Sequence, residues 1–219
     1  KNSVLDCPAI WTGLGETTPL KNWKEDDRGL LNLTQALAES CNTIFYQLGK
    51  ILHESNPELL TQFGSGFGFG RETGVIGLRE EIGVNPGPEW KRINRNDFWY
   101  TGDAVNTSIG QGFVLATPLQ ITTAYAALAT DGILRTPLAV HAIRNTSDGT
   151  EEHFIAEPTG VLPVSASTHT ALKEATRQVI ASPYGTGSIP FAGTRLSVGG
   201  KSGTAEDSDE QNHALFVAY

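Results

Sequence analysis

The chain has 219 residues, of which 39% are hydrophobic and 18% charged, and 16 Lys and Arg against 24 Asp and Glu give a net charge of −8. This composition is that of a globular protein and excludes an intrinsically disordered chain. No apolar run approaches the ~18 residues that cross a bilayer, and an acidic chain without a Lys/Arg cluster argues against a nucleic-acid binder.

The first thirty residues contain many turn formers and are expected to be irregular. From Leu33 to Leu52, apolar residues recur at helical spacing. Asn32 and Gln35 have the spacing of a capping box, which predicts where this helical pattern begins.

Ser40-Cys41-Asn42 lies inside the helical pattern. A continuous helix would leave Ser40 and Asn42 facing solvent. Ser and Asn also compete with helical backbone hydrogen bonds. A break at this point would project a hydroxyl and an amide from one short loop while Cys41 packs inward.

Residues 56–100 are rich in Gly, Pro and Trp, with glycines alternating at positions 64 to 70. This spacing argues against a helix and predicts an ordered loop region. Thr117-Pro118-Leu119-Gln120 then predicts a helix start, because Thr117 can cap and Pro118 suits the first helical position. The helix is expected over 119–129.

The remaining elements are an edge strand or hairpin arm over 133–143 and a helix over 168–181. Two strands follow over 195–206 and 213–219, around a polar turn at 207–212. No linker-like change in composition divides the chain, so a single domain is expected.

The Gly200-Lys201-Ser202 sequence invites comparison with a phosphate-binding loop, but the glycine required five residues earlier is Arg195. The alternative is a strand bordering an acyl-transfer site. There Lys201 would present its charge to a carboxylate or a transferring proton, and Gly203 would let substrate lie close to the backbone. A nearby backbone N–H could form half of an oxyanion hole.

Ser40-x-Asn42 and Lys201-Ser202-Gly203 together resemble the second and third signature motifs of penicillin-binding proteins and serine β-lactamases. The flanking sequence strengthens the resemblance to class B penicillin-binding proteins, most of all to the elongation-type penicillin-binding protein 2 group. The supporting segments are Ala36–Tyr46, Phe67–Gly74, Ile109–Gly112, Ala116–Gln120 and Gly200–Glu206. The resemblance implies an α/β (α+β) fold, with an antiparallel sheet flanked by helices and an all-α subdomain.

The resemblance further implies a D,D-transpeptidase that crosslinks peptidoglycan stem peptides through a serine acyl-enzyme and is inhibited by β-lactams. Ser40 would relay the proton, Asn42 would hold the substrate amide and Lys201 would set the local potential. Ser202 and Thr204 would bind the terminal carboxylate beside Gly203, and the Thr204 N–H would form half of the oxyanion hole. No metal or organic cofactor is implied, and the five histidines show no ligand spacing.

One feature departs from the resemblance: no serine of the chain is followed by Lys three positions later, and Thr18-x-x-Lys21 has only the spacing. The chain is therefore expected to be a partial transpeptidase domain over 1–219, inactive alone, without the nucleophile segment and the C-terminal strands. The parent is expected to be anchored at the periplasmic face of a bacterial inner membrane, within a cell-wall synthesis complex.

Two alternatives share the fold: a β-lactamase and a non-catalytic domain that senses β-lactams. The chain has two cysteines, Cys7 and Cys41. Spacing does not decide between one disulfide and two free thiols.

Overall fold

The computed structural model describes residues 3–205 and 212–219. Within these ranges the helices are α1 (Leu33–Ala38), α2 (Asn42–Ser55), α3 (Leu59–Gly66), α4 (Pro88–Arg95), α5 (Thr101–Thr107), α6 (Pro118–Ala129) and α7 (Ala166–Ala181). The strands are β1 (Val4–Asp6), β2 (Ile10–Trp11), β3 (Leu20–Lys21), β4 (Leu30–Asn32), β5 (Ile133–Arg135), β6 (Ala142–Arg144), β7 (Glu151–His153), β8 (Pro158–Val161), β9 (Gly200–Ala205) and β10 (His213–Ala218). None of these helices is long and apolar enough to span a bilayer.

The strands of the described ranges pair antiparallel and two at a time: β1 with β4, β2 with β3, β5 with β8, β6 with β7 and β9 with β10. The mixed fold with antiparallel pairing is confirmed, although the expected sheet takes the form of five separate ladders. The longest ladder joins β9 to β10 over six residues each.

Both predicted capping boxes are confirmed. The Asn32 side chain accepts from the Gln35 N–H at 2.9 Å, and the Gln35 side chain accepts from the Asn32 N–H at 3.0 Å. Thr117 and Gln120 make the same reciprocal pair at the start of α6, with Pro118 as its first residue. These helix starts follow from contacts only three residues apart, which sequence reasoning can read directly.

The expectation of an irregular N-terminal segment is wrong. It contains β1, β2 and β3, and β1 pairs with β4 so that Val4 lies opposite Asn32. Strands of two or three residues carry almost no period-2 pattern, and the partners of β1 are far away in sequence. The turn-forming residues around these short strands therefore led to the prediction of an irregular segment.

The expectation of a helix-free loop over 56–100 is also wrong, because α3 and α4 lie within it and α5 follows directly. Gly64 and Gly66 are inside α3, where a Cβ on Gly64 would collide with the Asn85 side chain and one on Gly66 with Pro163. These glycines permit close packing of a helix rather than ending it. Gly68 and Gly70 do adopt positive φ, at 93° and 77°, where the chain leaves α3.

The C-terminal half follows the predictions with shifted boundaries. The helix predicted from 168 begins at Ala166, capped by the Ser165 side chain. The segment predicted as one arm over 133–143 contains β5 and the start of β6, while the strand predicted from 195 begins only at Gly200. The predicted polar turn at 207–212 lies, except for its last residue, outside the described residues.

Two clusters of buried residues support the site. The first contains Cys7, Leu31, Ala36, Cys41 and Ile44. The second contains Ala127, Leu128, Leu134 and Leu162. Helix α7 packs against both α1 and β9, and it therefore brings the end of α1 close to the strand that carries Lys201.

Candidate active site

Of the two alternatives for Ser40, a continuous helix or a break, the structure has the break. Helix α1 ends at Ala38 and α2 begins at Asn42. Ser40 has a φ of 55°, in the left-handed region that costs a non-glycine residue about 1–2 kcal/mol. The break directs Ser40 and Asn42 toward one groove, while Cys41 between them is 1% exposed.

A disulfide at Cys41 fixes the turn that carries Ser40 and Asn42. Cys41 is bonded to Cys7, and both are buried. Asn22 adds a second tie, because its side-chain oxygen accepts the Asn42 N–H at 3.1 Å. The first residue of α2 is thus fixed by the covalent bond before it and by a hydrogen bond at its own N–H.

A buried carboxylate fixes the other side of the turn. The Glu39 side chain accepts from Arg28 at 2.9 Å and from Lys24 at 3.2 Å. The Trp23 indole N–H donates to the Glu39 carbonyl at 2.9 Å. The bond to Glu39, together with Asp26, raises the pKa of Arg28. The sequence analysis did not identify this cluster. The charged run from 24 to 28 was the one feature of the sequence that indicated it.

The register of β9 decides which of its backbone groups face the groove. Gly199 and Tyr219 exchange both backbone hydrogen bonds, at 3.0 and 2.9 Å. Antiparallel pairs alternate between hydrogen-bonded and non-hydrogen-bonded types. With Ser202 opposite Phe216 and Thr204 opposite Ala214, the peptide groups of Ser202 and Thr204 therefore point away from β10.

Two side-chain contacts agree with this register. The Lys201 ammonium donates to the Ser202 carbonyl at 2.8 Å, and the Gln111 side-chain amide donates to the Thr204 carbonyl at 3.1 Å. The N–H of Thr204 lies along the same outward edge as its carbonyl. Gln111 sits between Gly110 and Gly112, which both have positive φ, at 78° and 74°. It lines the groove but was not among the predicted site residues, although its Gly-Gln-Gly context was noticed.

Lys201 joins the two halves of the site. Its Nζ donates to Ser40 Oγ at 2.8 Å across 161 residues of sequence. Burial lowers the pKa of Lys201 to about 8. An amine with this pKa is partly neutral near physiological pH, and it can then both accept and return a proton.

All six predicted site residues line one groove of about 1040 Å³. They are Ser40, Asn42, Lys201, Ser202, Gly203 and Thr204. The groove therefore presents three hydroxyls, an amide, a partly neutral amine and an exposed peptide edge side by side. Such a set suits the binding and acyl transfer of an amide or ester carrying a carboxylate. Within the described ranges, no group of three or more His, Cys, Asp or Glu is arranged to hold a metal ion.

Comparison with known proteins gives a consistent picture. The family described as penicillin binding protein transpeptidase domain matches residues 1–219. The peptidoglycan D,D-transpeptidase MrdA of Escherichia coli K12 is 32% identical over 209 residues, which cover 94% of this chain and 32% of that protein. The chain thus spans about a third of the length of this curated relative.

Solved structures agree with the fold. The penicillin-binding protein PBP2 of Helicobacter pylori, in its complex with MreC, has a TM-score of 0.83 and 28% identity, over 100% of this chain and 38% of that one. PBP2 of Pseudomonas aeruginosa, in complex with WCK 5153, has a TM-score of 0.81 and 29% identity, over 100% of this chain and 48% of that one.

Proposed function

Because the chain belongs to the penicillin-binding protein transpeptidase domain family, we propose that it forms part of a peptidoglycan D,D-transpeptidase. The reaction is serine acyl transfer between stem peptides, and β-lactams bind as substrate mimics. The observation that carries the proposal is the 2.8 Å contact between Lys201 Nζ and Ser40 Oγ in a groove that Asn42 also lines.

Residues 1–219 supply the proton-transfer and binding groups of this reaction, and the nucleophilic serine comes from a Ser-x-x-Lys segment outside them. The chain itself is a partial transpeptidase domain. This assignment is supported by the sequence, in which no serine has Lys three positions later.

The proton path runs between Lys201 and Ser40. The nucleophilic serine attacks the carbonyl of the D-Ala-D-Ala peptide bond, and its proton passes through the Lys201–Ser40 pair to the leaving nitrogen, so that D-Ala departs as an amine. An amine of a neighbouring stem peptide then attacks the acyl-enzyme, and its proton returns along the same path to the serine. A Lys201 pKa of about 8 suits both directions, because neither protonation state is strongly favoured.

Substrate is held along β9. Asn42 holds the substrate amide, and Ser202 and Thr204 bind its terminal carboxylate. Gly203 has no side chain to obstruct a peptide lying against the strand. The outward N–H of Thr204 donates to the oxyanion of the tetrahedral intermediate, a contribution of the kind worth about 2.7–4 kcal/mol in other acyl-transfer enzymes.

Solved structures of relatives support a proposal about partners and location. The Helicobacter pylori PBP2 structure contains MreC. We propose that the full-length protein likewise joins a cell-wall synthesis complex, anchored in the inner membrane with this domain in the periplasm.

The test is the intact mass of the full-length protein after exposure to benzylpenicillin. One penicilloyl adduct is expected on the full-length protein and none on the 219-residue chain. Lys201→Met should slow acylation by at least a hundredfold, while Thr122→Val, on the exposed face of α6, should leave the rate unchanged. Absence of an adduct on the full-length protein would refute the proposal, and sustained nitrocefin hydrolysis would favour a β-lactamase instead.

A further inference from the structure

Thr186 lies in a tight segment after α7 that no sequence motif pointed to. Gly185 and Gly187 on either side of it are buried, and a Cβ on Gly185 would collide with the Val179 carbonyl. The Gly187 N–H donates to that same carbonyl at 2.9 Å. Because the segment is packed directly onto the end of α7, the position of Thr186 is fixed by backbone contacts rather than by its own side chain.

Thr186 contacts both halves of the site. Its N–H donates to the Ala38 carbonyl at 3.2 Å, at the end of α1 and two residues before Ser40. Its hydroxyl accepts from the Ser202 hydroxyl at 2.7 Å on β9. The backbone contact and the hydroxyl contact are separable, because a Val side chain keeps the first and abolishes the second.

We propose that Thr186 is a positioning residue that orients the Ser202 hydroxyl for recognition of the substrate carboxylate. This inference rests on the proposed function, in which Ser202 binds that carboxylate. The Ser202 hydroxyl donates its single proton to Thr186. A carboxylate only accepts hydrogen bonds, so Ser202 must turn its proton toward the ligand to bind it.

The Thr186 hydroxyl makes this turn favourable. Once Ser202 donates to the carboxylate, Thr186 can reverse its own role and donate to Ser202 Oγ. The two hydroxyls then form a chain that ends on a charged acceptor, and each bond polarises the next. Without the Thr186 hydroxyl, the oxygen of Ser202 faces a methyl group in this half-buried position and loses that support.

The experiment measures second-order acylation rates of the full-length protein by benzylpenicillin and by its methyl ester, which lacks the carboxylate charge. Thr186→Val should reduce the rate with the free acid by about tenfold, and the rate with the ester by less than twofold. Thr186→Ser keeps the hydroxyl and should restore the rate with the acid. The matched control is Thr122→Val, which removes a hydroxyl that donates to the Pro118 carbonyl of its own helix at 2.8 Å.

A double-mutant cycle separates positioning from general damage. If Thr186 acts through Ser202, adding Thr186→Val to Ser202→Ala should cost little beyond Ser202→Ala alone. Equal losses with the acid and the ester, fully additive losses in the cycle, or an unchanged rate would each overturn the inference while leaving the transpeptidase assignment intact. A wild-type protein that forms no adduct with either compound would remove the proposed function, and this inference with it.

Discussion

The protonation of Lys201 can be read from the pH dependence of folding. Burial lowers its pKa to about 8 in the folded chain, against 10.5 for an ordinary lysine. Below pH 8 the folded and unfolded chains both carry the proton, whereas between pH 8 and 10.5 the unfolded chain holds more of it. Stability increases with pH wherever the unfolded state binds more protons, so Lys201 makes the free energy of unfolding rise across this window.

The size of the rise in the free energy of unfolding follows from the difference between the folded and unfolded pKa values of Lys201. Each pH unit in which only the unfolded chain is protonated contributes about 1.4 kcal/mol. Half-titration of the folded chain at pH 8 reduces the gain between pH 8 and pH 10 to about 2 kcal/mol. Burial, together with the nearby Tyr219, raises the pKa of Tyr125 to about 12. Tyr125 therefore makes the free energy of unfolding fall above pH 10, the ordinary tyrosine pKa, and the pH range considered for Lys201 ends there.

The assay compares urea unfolding of the 219-residue chain and of Lys201→Met at pH 7, 8, 9 and 10. Groups that both proteins share cancel in the difference between the two profiles, which isolates Lys201. The ¹³Cε shift of Lys201 gives a second reading, with an expected midpoint near pH 8. Parallel stability profiles, or a midpoint above pH 10, would show that Lys201 is solvated and would refute the reasoning about its role as a proton-transfer group.

Two further changes test the framework around the site. Reduction of the Cys7–Cys41 disulfide, which joins residues 34 apart, should lower the free energy of unfolding by about 3–4 kcal/mol in urea melts with and without a phosphine reductant. The Cys7→Ser/Cys41→Ser chain should be insensitive to the reductant, and an equally stable reduced wild type would contradict the expectation. Gln120 is 2% exposed and its amide nitrogen donates to the carbonyls of Arg71 and Ile82, so Gln120→Ala should lower the thermal midpoint by an amount corresponding to about 2–3 kcal/mol. Gln120→Glu keeps the side-chain oxygen that accepts the Thr117 N–H but loses the amide N–H groups that donate to the two carbonyls. A Gln120→Glu chain as stable as wild type would show that the two donated bonds contribute nothing.

The parts of the fold that depend on neighbours three or four residues apart could be predicted from sequence. Asn32 with Gln35 and Thr117 with Gln120 are reciprocal caps within a single turn, and both formed as expected. Helix α3 could not be predicted in this way. Gly64 is there because Asn85 packs against it, and that contact is not visible in the local sequence.

In the candidate site, too, the features that depend on distant contacts could not be predicted from local sequence. Ser40 and Lys201 were linked through a family resemblance between two short motifs, and no local rule would place them 2.8 Å apart. The groups that hold them in place, among them Glu39 and Thr186, gave no usable signal because their partners are distant in the chain. The same holds for the disulfide of Cys41, since two cysteines show their pairing only when the fold brings them together.

The pairing of β9 with β10 has a consequence for how this domain tolerates change. The peptide groups of Ser202 and Thr204 face the groove because of their place in the ladder, whatever side chains they carry. A slip of one residue would turn the Lys201 side chain to the opposite face of the strand and exchange which peptide groups point outward. Point substitutions along β9 can therefore replace its side chains without removing its backbone donors, whereas a single-residue insertion would change which peptide groups point outward.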